Sequence, residues 1–214
     1  MTGVRIQNVT VVVVSAVCLL ATGCSDGGSG KDGGGSTPKA AGTVLPQRLD
    51  KPAPMPEGEL QPSPAADAAF SENLAYELRR KTQSMAGATG KITAECPKYL
   101  GSKSGTTATC TTTFEGVKVE WNVSIGGKSS FSNNLVEYTA TPRQGILTRD
   151  GVARLLYGNY RDSIDYALCN DIPKAVIAPL GVQSKYRCEV VFKGKKPSGF
   201  PQPVRATDSG PRYY

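Results

Sequence analysis

Apolar positions follow three different rules along this chain. From Val9 to Ala21 the residues are apolar, interrupted only by Thr10 and Ser15. From Phe70 apolar residues recur every four positions, through Leu74 and Leu78, with Met85 on the same face. From Ile92 onward the period drops to two. The first run is too short to span a bilayer, which needs about 20 residues. The second is the stripe of a helix packed on a core. The third is the alternation of half-buried β-strands.

The helix is expected over residues 65–86. Ser63 offers a capping hydroxyl, Pro64 suits a first turn, and Arg79, Arg80 and Lys81 come late, where cations complement the helix dipole. Gly87 and Gly90 stop it. "KITAEC" then places Ile92, Ala94 and Cys96 on one strand face, and "TATCTTTF" does the same for Ala108, Cys110 and Phe114. After a turn at Glu115-Gly116, "VKVEWNVSI" alternates strictly from Val117 to Ile125. "GGKSSFSNN" reads as a loop, followed by a strand from Leu135 to Thr141.

Thr148 is placed to cap a second, shorter helix carrying Val152, Leu155 and Leu156, with Leu147 stapled onto Val152. Ile164, Tyr166 and Leu168 then form a strand face leading to Cys169, and Tyr186, Cys188, Val190 and Phe192 form another. Val204 and Ala206 suit a last edge strand, with a loose tail from Ser209. The expected fold is α+β, in two similar helix-plus-antiparallel-sheet parts at 63–145 and 146–214. Each part runs helix, strand ending in Cys, Leu-Gly, strand carrying Cys, further strand.

The N-terminus adds a destination. Arg5 precedes the apolar run, and the run ends in Ala21-Thr22-Gly23-Cys24. A positive start, a short apolar core and small residues describe an export signal. The end resembles the lipobox of bacterial lipoproteins. That resemblance implies a signal peptide at 1–23, cleavage before Cys24, and acylation of its thiol with diacylglyceryl and palmitate-type chains. Cys18 would leave with the signal. The protein would then stand on the outer, extracytoplasmic face of the cytoplasmic membrane. Residues 24–62, glycine- and serine-rich and then proline-rich, read as a tether with an average reach of about 35 Å.

Of six cysteines, Cys18 and Cys24 belong to that N-terminal segment, which leaves Cys96, Cys110, Cys169 and Cys188. Three pairings are possible. Neighbour pairing, Cys96–Cys110 and Cys169–Cys188, repeats one bridge per part and is the expected one. Each bridge would contribute about 3 kcal/mol. Long Cys spacings without CxxC or histidine speak against zinc. The first part, with Cys96-Pro97, Gly105, Cys110 and the alternating Val117–Ile125, resembles a small domain of unknown function found repeatedly in actinobacterial lipoproteins. The likeness covers roughly Phe70 to Thr141; the second part has Cys169-Asn170 in place of Cys-Pro. It implies a disulfide-pinned α+β domain at the cell envelope and no reaction.

Chemistry is sparse. The chain has no histidine, so the commonest general base and metal ligand are missing. "GGKSS" is not a phosphate loop, because the required glycine position holds Asn122, inside the clearest strand. Asp162, Asp165 and Asp171 read as loop and strand-surface residues rather than paired acids. Neither enzyme activity, a metal nor a cofactor is expected. The formal charge is +7, and Lys185, Arg187, Lys193, Lys195 and Lys196 crowd one strand and its following loop. They suit contact with anionic lipid or wall polymer, or alternatively a solvated, lysine-guarded strand edge. No aromatics interleave them, which argues against nucleic acid. The expected role is a non-enzymatic binding module for an envelope partner. The alternative is a proteinaceous inhibitor of an exported enzyme, since the plan resembles that of the β-lactamase inhibitory proteins. Tyr99, Tyr157 and Tyr160 are the candidate contact aromatics for either.

Overall fold

Alternation of buried and exposed residues builds the first sheet. A computed structural model describes residues 44–129 and 132–213, which belong to one compact unit. The expected signal peptide, Cys24 and the glycine-serine part of the tether lie outside the described residues. Strands β2 (Ile92–Glu95), β3 (Thr107–Phe114), β4 (Val117–Ser129) and β5 (Ser132–Pro142) form an antiparallel meander in that order. Val119, Trp121, Val123 and Ile125 of β4 all point to one buried face, together with Cys110 and Phe114 of β3. Helix α1 (Phe70–Ala86) lays Leu74, Leu78 and Met85 against them. Polar groups inside this core are paired. Trp121 Nε1 donates to Thr112 Oγ1 at 2.9 Å, the Thr112 and Thr82 hydroxyls are 2.9 Å apart, and Thr82 Oγ1 donates to Leu78 O at 2.7 Å.

Helix α1 starts five residues later than expected. The Glu72 carboxylate accepts from Ala69 N, and Asn73 Nδ2 donates to Ala68 O and Ala69 O, so side chains inside the helix fix its first turn. Residues 61–62 are instead held by Arg79, whose guanidinium donates to Pro62 O and Gln61 O. The expected nine-residue loop is also shorter. Strand β4 runs on to Ser129 and β5 begins at Ser132, because a bulge between Ile125 and Gly127 lets the ladder continue. Gly127 adopts φ 117° there, a left-handed conformation that glycine alone takes without strain.

The second sheet orders β1 (Gln47–Leu49), β7 (Ile164–Cys169), β9 (Gln183–Phe192), β10 (Gln202–Thr207) and β11 (Gly210–Tyr213), all antiparallel. Helix α2 (Arg149–Tyr160) packs Val152 and Leu156 into the core below it. Thr148 caps this helix as expected, its hydroxyl accepting from Gly151 N at 2.9 Å.

Four sequence expectations change here. Part of the segment read as tether is in the fold: Gln47–Leu49 pairs with β7 and Leu49 is buried. A register shift between Ile164 and Tyr166 breaks the alternation: Ile164 and Leu168 are buried as expected, Ala167 and Cys169 are buried with them, and Tyr166 instead carries the Arg48 guanidinium, 4.0 Å above its ring. The last edge strand is not Val204–Ala206, and the tail is not loose. Residues Gly210–Tyr213 form β11 outside β10, with Pro211 buried and Tyr213 Oη donating to Cys188 O. A short strand that the pattern did not announce, β8 (Val176–Ala178), pairs with β6 (Gly145–Leu147).

The two layers interlock where α1 ends and α2 begins. Thr148 Oγ1 donates to Ala86 O at 2.7 Å, and Arg154 Nε donates to Gly87 O at 3.0 Å. Gly151 sits so close to α1 that a Cβ there would stand 2.1 Å from Ala86 O. Strand β6 sends Ile146 into the first core and its neighbour Leu147 into the second. On another face Lys174 Nζ donates to Glu115 Oε2 at 2.6 Å, and Lys91 N donates to Glu115 Oε1. The Lys174 contact, then the Lys91 amide, holds the Glu115 carboxyl below the usual carboxylate range.

Candidate interaction surface

The two disulfides are the expected ones, Cys96–Cys110 and Cys169–Cys188. Cys169 faces Cys188 across β7 and β9, and Cys96, one residue beyond the Glu95↔Thr111 pair, stands opposite Cys110 in the continued register of β2 and β3. The first bridge closes the loop between β2 and β3, and that loop is pinned along most of its length. Leu100 is buried in the core, and its N–H donates to Pro97 O at 3.0 Å. Ser71 Oγ donates to Lys98 O, Ser104 Oγ to Gly126 O, and Gly105 N to Ile125 O. Between these anchors stands Tyr99, 100% exposed. One side chain is driven outward because its neighbour Leu100 is driven in.

Beside the loop lies a cleft of about 610 Å³. One wall is the start of α1, with Ala69, Glu72 and Ala75; the other is β2 and the loop, with Ala94, Glu95 and Lys98. The small residues keep it open. Glu95, Lys98 and Lys103 are exposed and make no ion pair among the described residues. Sequence reading named Tyr99 only as one aromatic among three, and missed the cleft, because β2 and α1 meet only after folding.

The other two aromatics are placed elsewhere. Tyr157 Oη donates toward Leu49 O and Asp165 O, and burial, then Asp50, raises its phenol above the usual value. Tyr160 is half-buried between the rings of Phe192 and Tyr213, both edge-on to it. Tyr157 lines a separate shallow cleft with Lys51, Pro52, Arg154 and Arg161.

The five basic residues divide between a strand and the turn after it. Lys185 and Arg187 share the solvent face of β9, with the Arg187 guanidinium donating to Pro201 O. Lys193, Lys195 and Lys196 lie in the turn after β9, and the chain following them folds back along the sheet. The lysine-guarded edge does not exist, since β9 is flanked by β7 and β10. Between the two groups Glu189 is buried. Its Oε1 accepts from Ser198 N and Gly199 N and so fastens the loop that carries Lys195 and Lys196 to the sheet.

Asp162 and Asp165 are exposed on the turn after α2 and on β7, and Asp171 lies in the turn after Cys169 with φ 25°. Among the described residues no three of the Cys, Asp and Glu side chains group to hold a metal ion. No described helix is long and apolar enough to cross a membrane. No family model, curated protein or solved structure matches the chain.

Proposed function

We propose that this chain is a lipid-anchored extracytoplasmic interaction module without catalytic activity, and that the Tyr99 loop is its contact. One observation carries the reading: a fully exposed tyrosine on a loop held by a disulfide, a buried leucine and three hydrogen bonds to neighbouring elements. Tyrosine is among the residues that dominate binding energy at interfaces. Pinning the loop beforehand lowers the entropy lost on binding. Two paired disulfides suit an oxidising compartment outside the cytoplasm. Cys24 supplies the anchor in this reading, after cleavage of residues 1–23. In this reading the two sheets follow one plan, which is supported by a helix packed on each and by one bridge between neighbouring strands of each.

The same rigid loop supports the inhibitor reading, in which Tyr99 enters the cleft of an exported enzyme. Both readings make Tyr99 the contact. The test is capture from solubilised envelope by the mature chain and by Tyr99→Ala, with melting temperature measured for both. The side chain touches little of the fold, so melting should be unchanged while capture falls about thirtyfold, as for a binding hot spot. Equal capture by the two chains would remove Tyr99 as the contact.

A further inference from the structure

The Tyr99 loop and the cleft beside it complement each other in shape and in charge. The loop is a projecting aromatic flanked by Lys98 and Lys103. The cleft is open because Ala69, Ala75 and Ala94 line it, and it carries Glu72 and Glu95. Lys98 belongs to both, so the projection and the hollow share a rim. Tyr99 cannot fill its own cleft, since Leu100 and the Ser71–Lys98 contact fix it pointing away into solvent.

A surface that carries a projection next to its own complement is satisfied by a second copy related by a two-fold axis. Each projection then enters the other copy's hollow, and the contact closes without growing further. We propose that two copies of this chain pair through these faces, Tyr99 of each seated against the alanines of the other and Lys98 or Lys103 facing Glu95. This rests on the reading of Tyr99 as the contact and names its partner. The charges decide for a copy over an unrelated partner. The exposed cations of the loop and the exposed Glu95 of the cleft are opposite in sign, and no ion pair within the chain uses them among the described residues. Two buried tyrosines contribute about 300–500 Å², so the pair belongs to the small, reversible class of interface. Pairing also covers the loop, so any other partner must compete with the second copy.

The test uses the mature lipidated chain in membranes, as a mixture of light and isotopically heavy protein. A carbodiimide couples a lysine to a carboxylate only at contact distance. The expected products are mixed light–heavy peptides joining Lys98 or Lys103 to Glu95, falling about thirtyfold with Tyr99→Ala. Lys98→Glu combined with Lys103→Glu, and Glu95→Lys alone, should each abolish coupling between copies. Mixing the two variants restores opposite charges across the two-fold pair and should restore association, read by energy transfer between dye-labelled chains. Absence of mixed-isotope products in the wild-type chain, or their persistence in Tyr99→Ala, overturns the pairing. If no self-coupling occurs while envelope capture still depends on Tyr99, the copy is wrong and the contact stands. If neither depends on Tyr99, both fall.

Discussion

Tyr213 shows how much one side chain near the chain end can contribute. Its hydroxyl donates to Cys188 O at 3.2 Å, and its ring meets Tyr160 edge-on. Burial, reinforced by Tyr160 and Glu189, pushes the phenol up to about 12 from 10.0. The neutral form is favoured in the folded protein, so the unfolded chain loses this proton first as pH rises. Stability from Tyr213 is therefore complete below pH 10 and is lost as pH climbs through about 12. Tyr213→Phe cannot ionise. It should lose about 1 kcal/mol at neutral pH with the hydrogen bond, yet show a shallower fall in urea stability over that alkaline window. An equally steep fall in the variant would assign the alkaline loss to other groups.

At the scale of elements, the turn after β9 is the part of the basic set that acts together. Lys193 N donates to Ser163 O, Lys195 N to Phe192 O, and Glu189 holds Ser198 and Gly199, so the turn is fixed at both ends. Three lysines within four residues then face solvent as a unit, and each adds about 1 kcal/mol near an anionic membrane. Reversal of Lys193, Lys195 and Lys196 to Glu should abolish salt-sensitive binding of the mature chain to anionic vesicles. Reversal of Lys185 and Arg187 should leave most of it, because the Arg187 guanidinium is already engaged with Pro201 O. Equal losses from the two sets would show a diffuse response to net charge.

Across the whole molecule, the junction of α1 and α2 makes the two cores one folding unit. The close approach of Gly151 to Ala86, the Thr148 and Arg154 bonds to α1, and the split of Ile146 and Leu147 between cores leave neither sheet complete alone. Gly151→Ala should cost about 3 kcal/mol, since a methyl would collide with backbone that cannot step aside. The single tryptophan, Trp121, lies in the other core and reports on it. Its fluorescence and far-ultraviolet circular dichroism should follow one shared urea transition in wild type and variant alike. Separate midpoints, with Trp121 insensitive to Gly151→Ala, would mean two independent domains.

Sequence pattern was enough wherever a side chain's fate depends on its near neighbours. The face of β4, the Thr148 cap and the apolar stripe of α1 follow from local spacing, and exposed and buried residues separate along them as the periods of two and 3.6 require. The disulfide pairs followed from the repeated order of elements. Pattern failed where a partner far along the chain decides. Gln47–Leu49 becomes a strand because β7 has an open edge, and Gly210–Tyr213 because β10 does. The bulge after Ile164 breaks simple alternation, so that Ala167 is buried and Tyr166 is not. The basic residues divide between a strand and the turn after it, and that division depends on where β9 ends and on Glu189 gripping the returning loop. Tyr99 was legible as an aromatic and not as a contact. Its exposure depends on Leu100 finding the core and on Ser71, Gly126 and Ile125 gripping the loop, contacts that exist only after α1 and β4 have packed around it.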